Sequence, residues 1–79
     1  MNRQRRKQLK EAFNLMSEAR SIIEEAMDDE QGAIDNMPEG LRDGEQCEGF
    51  EANVDVMATS IDALGDAVNE IAEVAGVDY

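Results

Sequence analysis

The sequence predicts an all-α fold, an antiparallel hairpin of two long helices. Apolar residues recur at intervals of three and four positions in both halves of the chain, which is the period of an amphipathic helix. One proline and two glycines between residues 38 and 44 mark a turn between the halves. The 79 residues form one small domain, residues 1–79, and a domain of this size needs very regular packing or a partner chain.

The first half predicts a helix over about residues 4–36. A row of alanines repeats every seven residues beside its main apolar row, and Leu15 and Ile22 widen the stripe. The alanines are Ala12, Ala19, Ala26 and Ala33. The main row, which we expect to form the seam between helices, consists of Leu9, Phe13, Met16, Ile23, Met27 and Ile34.

Arg20 and Glu30 interrupt this apolar row. A polar residue at a core position can set the register of helix pairing or the choice of partner. A long charged side chain can also bury its stem at the edge of the stripe and keep its charge in water, and the sequence favours this second interpretation. Both alternatives stay open at this level.

The turn is predicted at residues 37–43. Pro38 disfavours the helical conformation of Met37, so the first helix should end there. Two helices of about 32 residues joined by a short turn are typical of an antiparallel αα-hairpin. Met37 and Leu41 are expected to close the apolar interior at this end.

The second half predicts a helix over about residues 44–75. Asp43 is the expected N-cap, with Gln46 in the capping-box position, and Gly76 ends the helix. Cys47 opens the seam and is expected to act as a small buried apolar residue. The rest of the seam, with spacings of three and four, is Phe50, Val54, Met57, Ile61, Leu64, Val68 and Ile71. A second apolar flank lies beside it: Val56, Ala63, Ala67 and Val74.

The charge of −12 is unevenly distributed. Residues 11–79 hold two basic and nineteen acidic side chains, a net charge of −17. Residues 1–10 form a basic arm whose side chains are Arg3, Arg5, Arg6, Lys7 and Lys10. The simplest expectation is that this arm pairs with Glu70, Glu73 and Asp78 at the end of the second helix. Contact with a phosphate-bearing ligand, a nucleic acid or an acidic protein is the alternative.

A single hairpin leaves part of these wide apolar stripes exposed. We therefore expect a homodimer, either a four-helix bundle or a coiled coil, because two-fold dimers are the commonest oligomers. A hairpin completed by a different protein is the alternative. The sequence does not distinguish a parallel from an antiparallel dimer.

The composition excludes most catalytic and cofactor sites. Without histidine and with one cysteine, the chain lacks the ligands of ordinary zinc and haem sites, the catalytic triads and an internal disulfide. We expect no enzyme activity, no cofactor and no metal. The sequence also lacks the apolar segments of a secretory signal or a membrane span, so the expected location is the cytoplasm.

Three stretches of the sequence resemble a group of small acidic proteins encoded by bacteriophages and prophages. They are the basic opening Asn2–Leu9, the stretch Asp28–Gln31 and the stretch Asn36–Leu41. The resemblance continues into the Ala-, Asp- and Ile-rich repeats of the second helix. It implies an origin in a phage and, by analogy, an inhibitor of host defence.

The predicted function is a protein-binding module that inhibits a host protein through an acidic helical surface. The densest acidic cluster is the expected contact surface: Glu24, Glu25, Asp28 and Asp29. One alternative is an oligomeric sponge that binds a nucleotide signal. Another is a structural or assembly accessory protein.

Overall fold

The computed structural model describes residues 2–41 and 44–76. They contain two long α-helices, α1 (Arg3–Asp35) and α2 (Glu45–Ala75), and a short 3-10 helix, Glu39–Leu41, between them. The molecule measures 59 × 16 × 14 Å. No strand occurs in the described residues, and the predicted helical hairpin is confirmed at this level.

Two contacts show that the helices are antiparallel. Glu30 is hydrogen bonded to Asn53, and Arg20 lies against Gly65. The residue number therefore falls along α1 as it rises along α2, as an antiparallel hairpin requires.

The ends of both helices differ slightly from the predicted bounds. The first helix occupies Arg3–Asp35 instead of 4–36, because the Asn2 side chain accepts a hydrogen bond from the Arg5 backbone N–H at 2.8 Å and caps the first turn. The second helix begins at Glu45, and its N-cap residue is Gly44, which has no side chain to bond. The predicted N-cap, Asp43, lies outside the described residues.

The C-terminal end of α2 is closed as the sequence predicts. Gly76 has φ +70° and ψ 35°, and its N–H is hydrogen bonded to the Ala72 carbonyl. Glycine adopts this left-handed conformation without the steric cost that a Cβ adds.

The turn is more structured than the sequence indicates. The Leu41 N–H donates to the Pro38 carbonyl at 2.9 Å, which closes the single turn of 3-10 helix. Met37 is half-buried. Leu41 is 52% exposed, so the expectation that it closes the apolar interior is wrong. The 3-10 turn holds its side chain at the surface.

The core lies mainly on α2. None of the side chains of α1 is fully buried, whereas five residues of α2 are. They are Cys47, Ile61, Val68, Ala72 and Ala75. All other residues of the predicted seam are half-buried. Ala72 is buried although the seam pattern omits it. The rotation of α2 therefore turns small side chains on one side of the seam toward α1.

Candidate binding surfaces

The hairpin has two broad sides of different chemistry. On one side, a groove is lined by Ala26 and Glu30 from α1 and by Asn53, Val56 and Met57 from α2. Residues three, four or seven positions from these groove residues share this side of their helix. We call it the apolar side, and it comprises Ala12, Leu15, Ala19, Ile22 and Ala26 of α1 with Val56, Ala63, Ala67 and Val74 of α2.

Large apolar side chains of the apolar side are exposed. The exposed fractions are 59% for Leu15, 58% for Ile22, 65% for Val56 and 52% for Val74. Val56 and Val74 are eighteen residues apart, which is five turns of an α-helix, so they lie on one line along α2. Large exposed apolar side chains that line up on one side of a hairpin are typical of an interface.

The opposite side of the hairpin is polar and acidic. One groove there lies between Arg20 of α1 and a segment of α2 that contains Asp62, Gly65 and Asp66. A second groove, nearer the turn, is lined partly by Gln31 of α1 and by Glu51 and Asp55 of α2. We call this the acidic side.

The predicted contact residues, Glu24, Glu25, Asp28 and Asp29, are all exposed on α1. Sequence reasoning missed a second set of carboxylates, Glu48, Asp55 and Asp62, which repeats every seven residues along α2. This spacing places them about 10 Å apart in one column. The seam of α2 also repeats every seven residues. Once the seam is assigned, the same repeat identifies this column of carboxylates in the sequence.

Arg20 forms an ion pair with Glu24 in the part of the chain that the structure describes. Its Nε is 3.6 Å from Oε1 of Glu24, one turn away on the same helix, and both side chains are nearly half exposed. Such an exposed pair contributes about 0–0.5 kcal/mol. The Arg20 guanidinium also covers Gly65: its Cζ is 3.5 Å from the point that a Gly65 Cβ would occupy.

Glu30 is the other polar residue of the apolar row, and it has a partner on α2. Asn53 Nδ2 donates to Glu30 Oε2 at 2.7 Å. Arg20 and Glu30 thus each contact a particular position of α2. This pairing favours the register-setting interpretation over that of two side chains simply reaching for solvent.

Cys47 lies inside the hairpin near the turn and is 1% exposed. Its Sγ donates to Oε1 of Glu51 at 3.6 Å. The burial agrees with the expected structural role of this thiol.

The basic arm lies at the open end of the hairpin. Its five side chains, Arg3, Arg5, Arg6, Lys7 and Lys10, are all exposed. Within residues 2–41 and 44–76, none of them is within ion-pair distance of Glu70 or Glu73, so the expected pairing with these two residues is wrong. The third expected partner, Asp78, lies outside the described residues. Leu9 is the first half-buried residue of α1, which leaves residues 2–8 projecting beyond the packed part.

Charge divides the hairpin along its length. The level at which Arg20 meets Gly65 separates a turn half, residues 20–41 and 44–65, from an open half, residues 2–19 and 66–76. The turn half carries twelve acidic side chains and one basic side chain, whereas the open half carries five of each. The turn half is therefore strongly negative and the open half is close to neutral.

The described part of the chain contains neither a metal-binding cluster nor a membrane-spanning helix. There, no three His, Cys, Asp or Glu side chains are grouped so as to hold a metal ion. No helix in the same ranges has the length and apolar character needed to cross a membrane.

Comparison with known proteins adds no relative. No protein-family model, no curated protein and no solved structure matches this chain.

Proposed function

We propose that this chain is a non-enzymatic binding module whose acidic surface engages a positively charged surface of a partner protein. The observation that carries the proposal is the charge of the turn half, where twelve acidic side chains are accompanied by one basic side chain. The carboxylates of Glu24, Glu25, Asp28 and Asp29 are exposed, and among the described residues Arg20 forms an ion pair with Glu24. A surface of this kind attracts a basic groove and repels nucleic acid.

The partner class that suits this charge is a nucleic-acid-binding protein. Such proteins present grooves of Lys and Arg that bind phosphates. Two rigid helices with carboxylates at regular intervals offer an alternative set of anions to the same groove. We propose that the hairpin blocks a host protein of this class in the bacterial cytoplasm, as an inhibitor of phage type would.

We further propose that the hairpin pairs with a second copy through the apolar side to form a four-helix bundle. The exposed Leu15, Ile22, Val56 and Val74 side chains support this pairing, because burial of apolar surface is the main favourable term in association. The acidic side faces away from such an interface. A dimer would therefore keep the carboxylates that line the grooves of the acidic side, among them Asp55 and Asp62, free for the partner.

The experiment that tests the binding proposal is capture by the immobilised chain from a bacterial lysate at low and moderate salt. We expect the captured proteins to bind nucleic acid, to be released as salt rises and to be displaced by duplex DNA. A variant with Glu24→Gln, Glu25→Gln, Asp28→Asn and Asp29→Asn should lose capture.

The matched control keeps the charge and changes only side-chain length: Glu24→Asp, Glu25→Asp, Asp28→Glu and Asp29→Glu. It should retain capture because the negative charge at each position is unchanged. Capture that is insensitive to salt, or that survives neutralisation of the four carboxylates, would contradict the proposal.

A further inference from the structure

The exposed apolar residues of the apolar side are arranged symmetrically along the hairpin. On α1, the midpoint between Leu15 and Ile22 lies beside Ala19. On α2, the midpoint between Val56 and Val74 lies at residue 65. Each helix therefore carries one pair of large apolar side chains centred on its own point.

These two points lie at nearly the same level of the molecule. The Arg20 guanidinium covers Gly65, and Arg20 directly follows Ala19. At 1.5 Å per residue, the two midpoints differ by roughly 2–3 Å along the hairpin. A single two-fold axis across the hairpin at this level therefore passes close to the midpoint of both pairs, Leu15 with Ile22 and Val56 with Val74.

A two-fold axis at this level makes the apolar side complementary to itself, as a two-fold interface requires. We propose, on the basis of the self-association described above, that two copies pack antiparallel through their apolar sides, the turn of each beside the open end of the other. Leu15 then lies opposite Ile22 of the second copy. Val56 lies opposite Val74 of the second copy, and Ala19 lies at the axis.

A parallel dimer lacks this match. It places α1 of one copy beside α2 of the other, and residues at the same position along the hairpin axis face each other. The Glu30–Asn53 hydrogen bond shows which residues of α1 and α2 share a position along this axis. Val56 would then lie at the level of residues 27–29 of the second copy, and Val74 at the level of residues 9–11. Neither valine would face Leu15 or Ile22, and the apolar pairs would be lost.

Charge favours the same orientation. A parallel dimer sets two strongly negative turn halves side by side, whereas the antiparallel dimer sets each beside a nearly neutral open half. With the axis beside Ala19, residues 3–10 lie opposite residues 28–35 of the second copy. The first segment carries five basic side chains, and the second carries four acidic side chains. The antiparallel dimer thus supplies the exposed basic arm with a partner.

The size of the surface is sufficient for a specific dimer. A side 59 Å long and 16 Å wide has an area on the order of 900 Å², and specific interfaces bury about 800 Å² of each partner. The alanines Ala12, Ala19 and Ala26 permit close approach of two α1 helices along this surface.

Two measurements on the full chain test the proposal. Light scattering gives the mass, which should be twice the 8.7 kDa of one chain. Distances between nitroxide labels then give the orientation, with one label per chain at Gln4→Cys in a Cys47→Ala background. Gln4 is exposed near the open end. The antiparallel dimer predicts a label separation of about 45 Å, from 1.5 Å per residue on both sides of the axis.

A label at Glu18→Cys is the matched control. Glu18 is exposed near the axis, so its labels should be close together in either orientation and should report the dimer itself. A dimer whose Gln4 labels are less than about 30 Å apart, as lateral helix spacings alone would give, overturns the antiparallel orientation and leaves self-association intact. A monomeric mass overturns self-association as well. Should Cys47→Ala reduce the helical circular dichroism, Cys47→Val replaces it and the same distances decide.

Discussion

Glu30 of α1 and Asn53 of α2 are joined by a hydrogen bond of 2.7 Å across the hairpin. Glu30 occupies a position of the apolar row, where a charged side chain lowers stability unless it has a partner. The bond shows which turn of α2 lies beside this turn of α1. It lies on the apolar side and therefore also sets the levels at which Val56 and the α1 side chains meet.

The Glu30–Asn53 bond should appear as a coupling free energy. We expect a double-mutant cycle with Glu30→Ala and Asn53→Ala to give about 0.5–1 kcal/mol, because the bond is exposed and hydrogen bonds contribute about 0.5–1.5 kcal/mol net. Urea unfolding at one fixed protein concentration measures it. The control cycle combines Glu24→Ala with Asn53→Ala. Glu24 does not contact Asn53, so this cycle should give no coupling. Equal values for both cycles would contradict a specific bond.

Two glycines of α2 should respond to alanine with opposite signs. No atom lies within 4 Å of a Cβ added at Gly49, so Gly49→Ala should stabilise the fold by about 0.5–1 kcal/mol through helix propensity. Gly76 has a positive φ, so Gly76→Ala should destabilise it by about 1 kcal/mol. Thermal unfolding at fixed concentration measures both. A loss of stability in Gly49→Ala would indicate a contact at this position that the single hairpin lacks.

Ile22 should be required for self-association and not for the hairpin. Its side chain is 58% exposed in one copy, so Ile22→Gln removes little from the intramolecular core. We expect the dimer to weaken at least tenfold, since about 1.4 kcal/mol of lost apolar burial has that effect. Sedimentation equilibrium measures the change, and circular dichroism shows whether the helices persist. The exposed residue beside it provides a control, Ser21→Gln, for which the dissociation constant should stay unchanged.

The Cys47 thiol should react slowly with a thiol reagent in the native state. It is 1% exposed, so the reagent reaches it only when the turn end of the hairpin opens. The rate should rise with urea before global unfolding if this end opens locally. Ser21→Cys in a Cys47→Ala background is an exposed comparison on α1, away from the apolar side, and should react faster. Equal native-state rates at the two positions would show that Cys47 is accessible.

Asn2 should stabilise the first turn of α1. Loss of its bond to the Arg5 N–H in Asn2→Ala should cost about 1 kcal/mol locally, as helix N-caps generally do. Amide hydrogen exchange of residues 4–7 measures this effect directly, because the first turn opens independently of the core. Asn14→Ala, at an exposed position inside α1, should not accelerate exchange there. Unchanged exchange in Asn2→Ala would show that the cap contributes little.

The two helices, the turn and the glycine that ends α2 follow from the sequence because they depend on local properties. The spacing of apolar residues, the conformational restriction before Pro38 and the permissive backbone of Gly76 act within a few residues. The one end that sequence reasoning overlooked, the Asn2 cap, also depends on a local bond. An asparagine that precedes a basic first helical turn is a weaker N-cap signal than the capping box expected at Asp43 and Gln46.

Only the tertiary structure decides how the two helices face each other. The burial of Ala72, the exposure of Leu41 and the partner of Glu30 all depend on the rotation of each helix about its axis and on the register between them. A heptad pattern leaves both undetermined, because several rotations bury a similar number of apolar residues. Packing of small side chains favours one arrangement, in which Glu30 and Asn53 are hydrogen bonded. That arrangement places the remaining apolar side chains on one side and separates them from the acidic side.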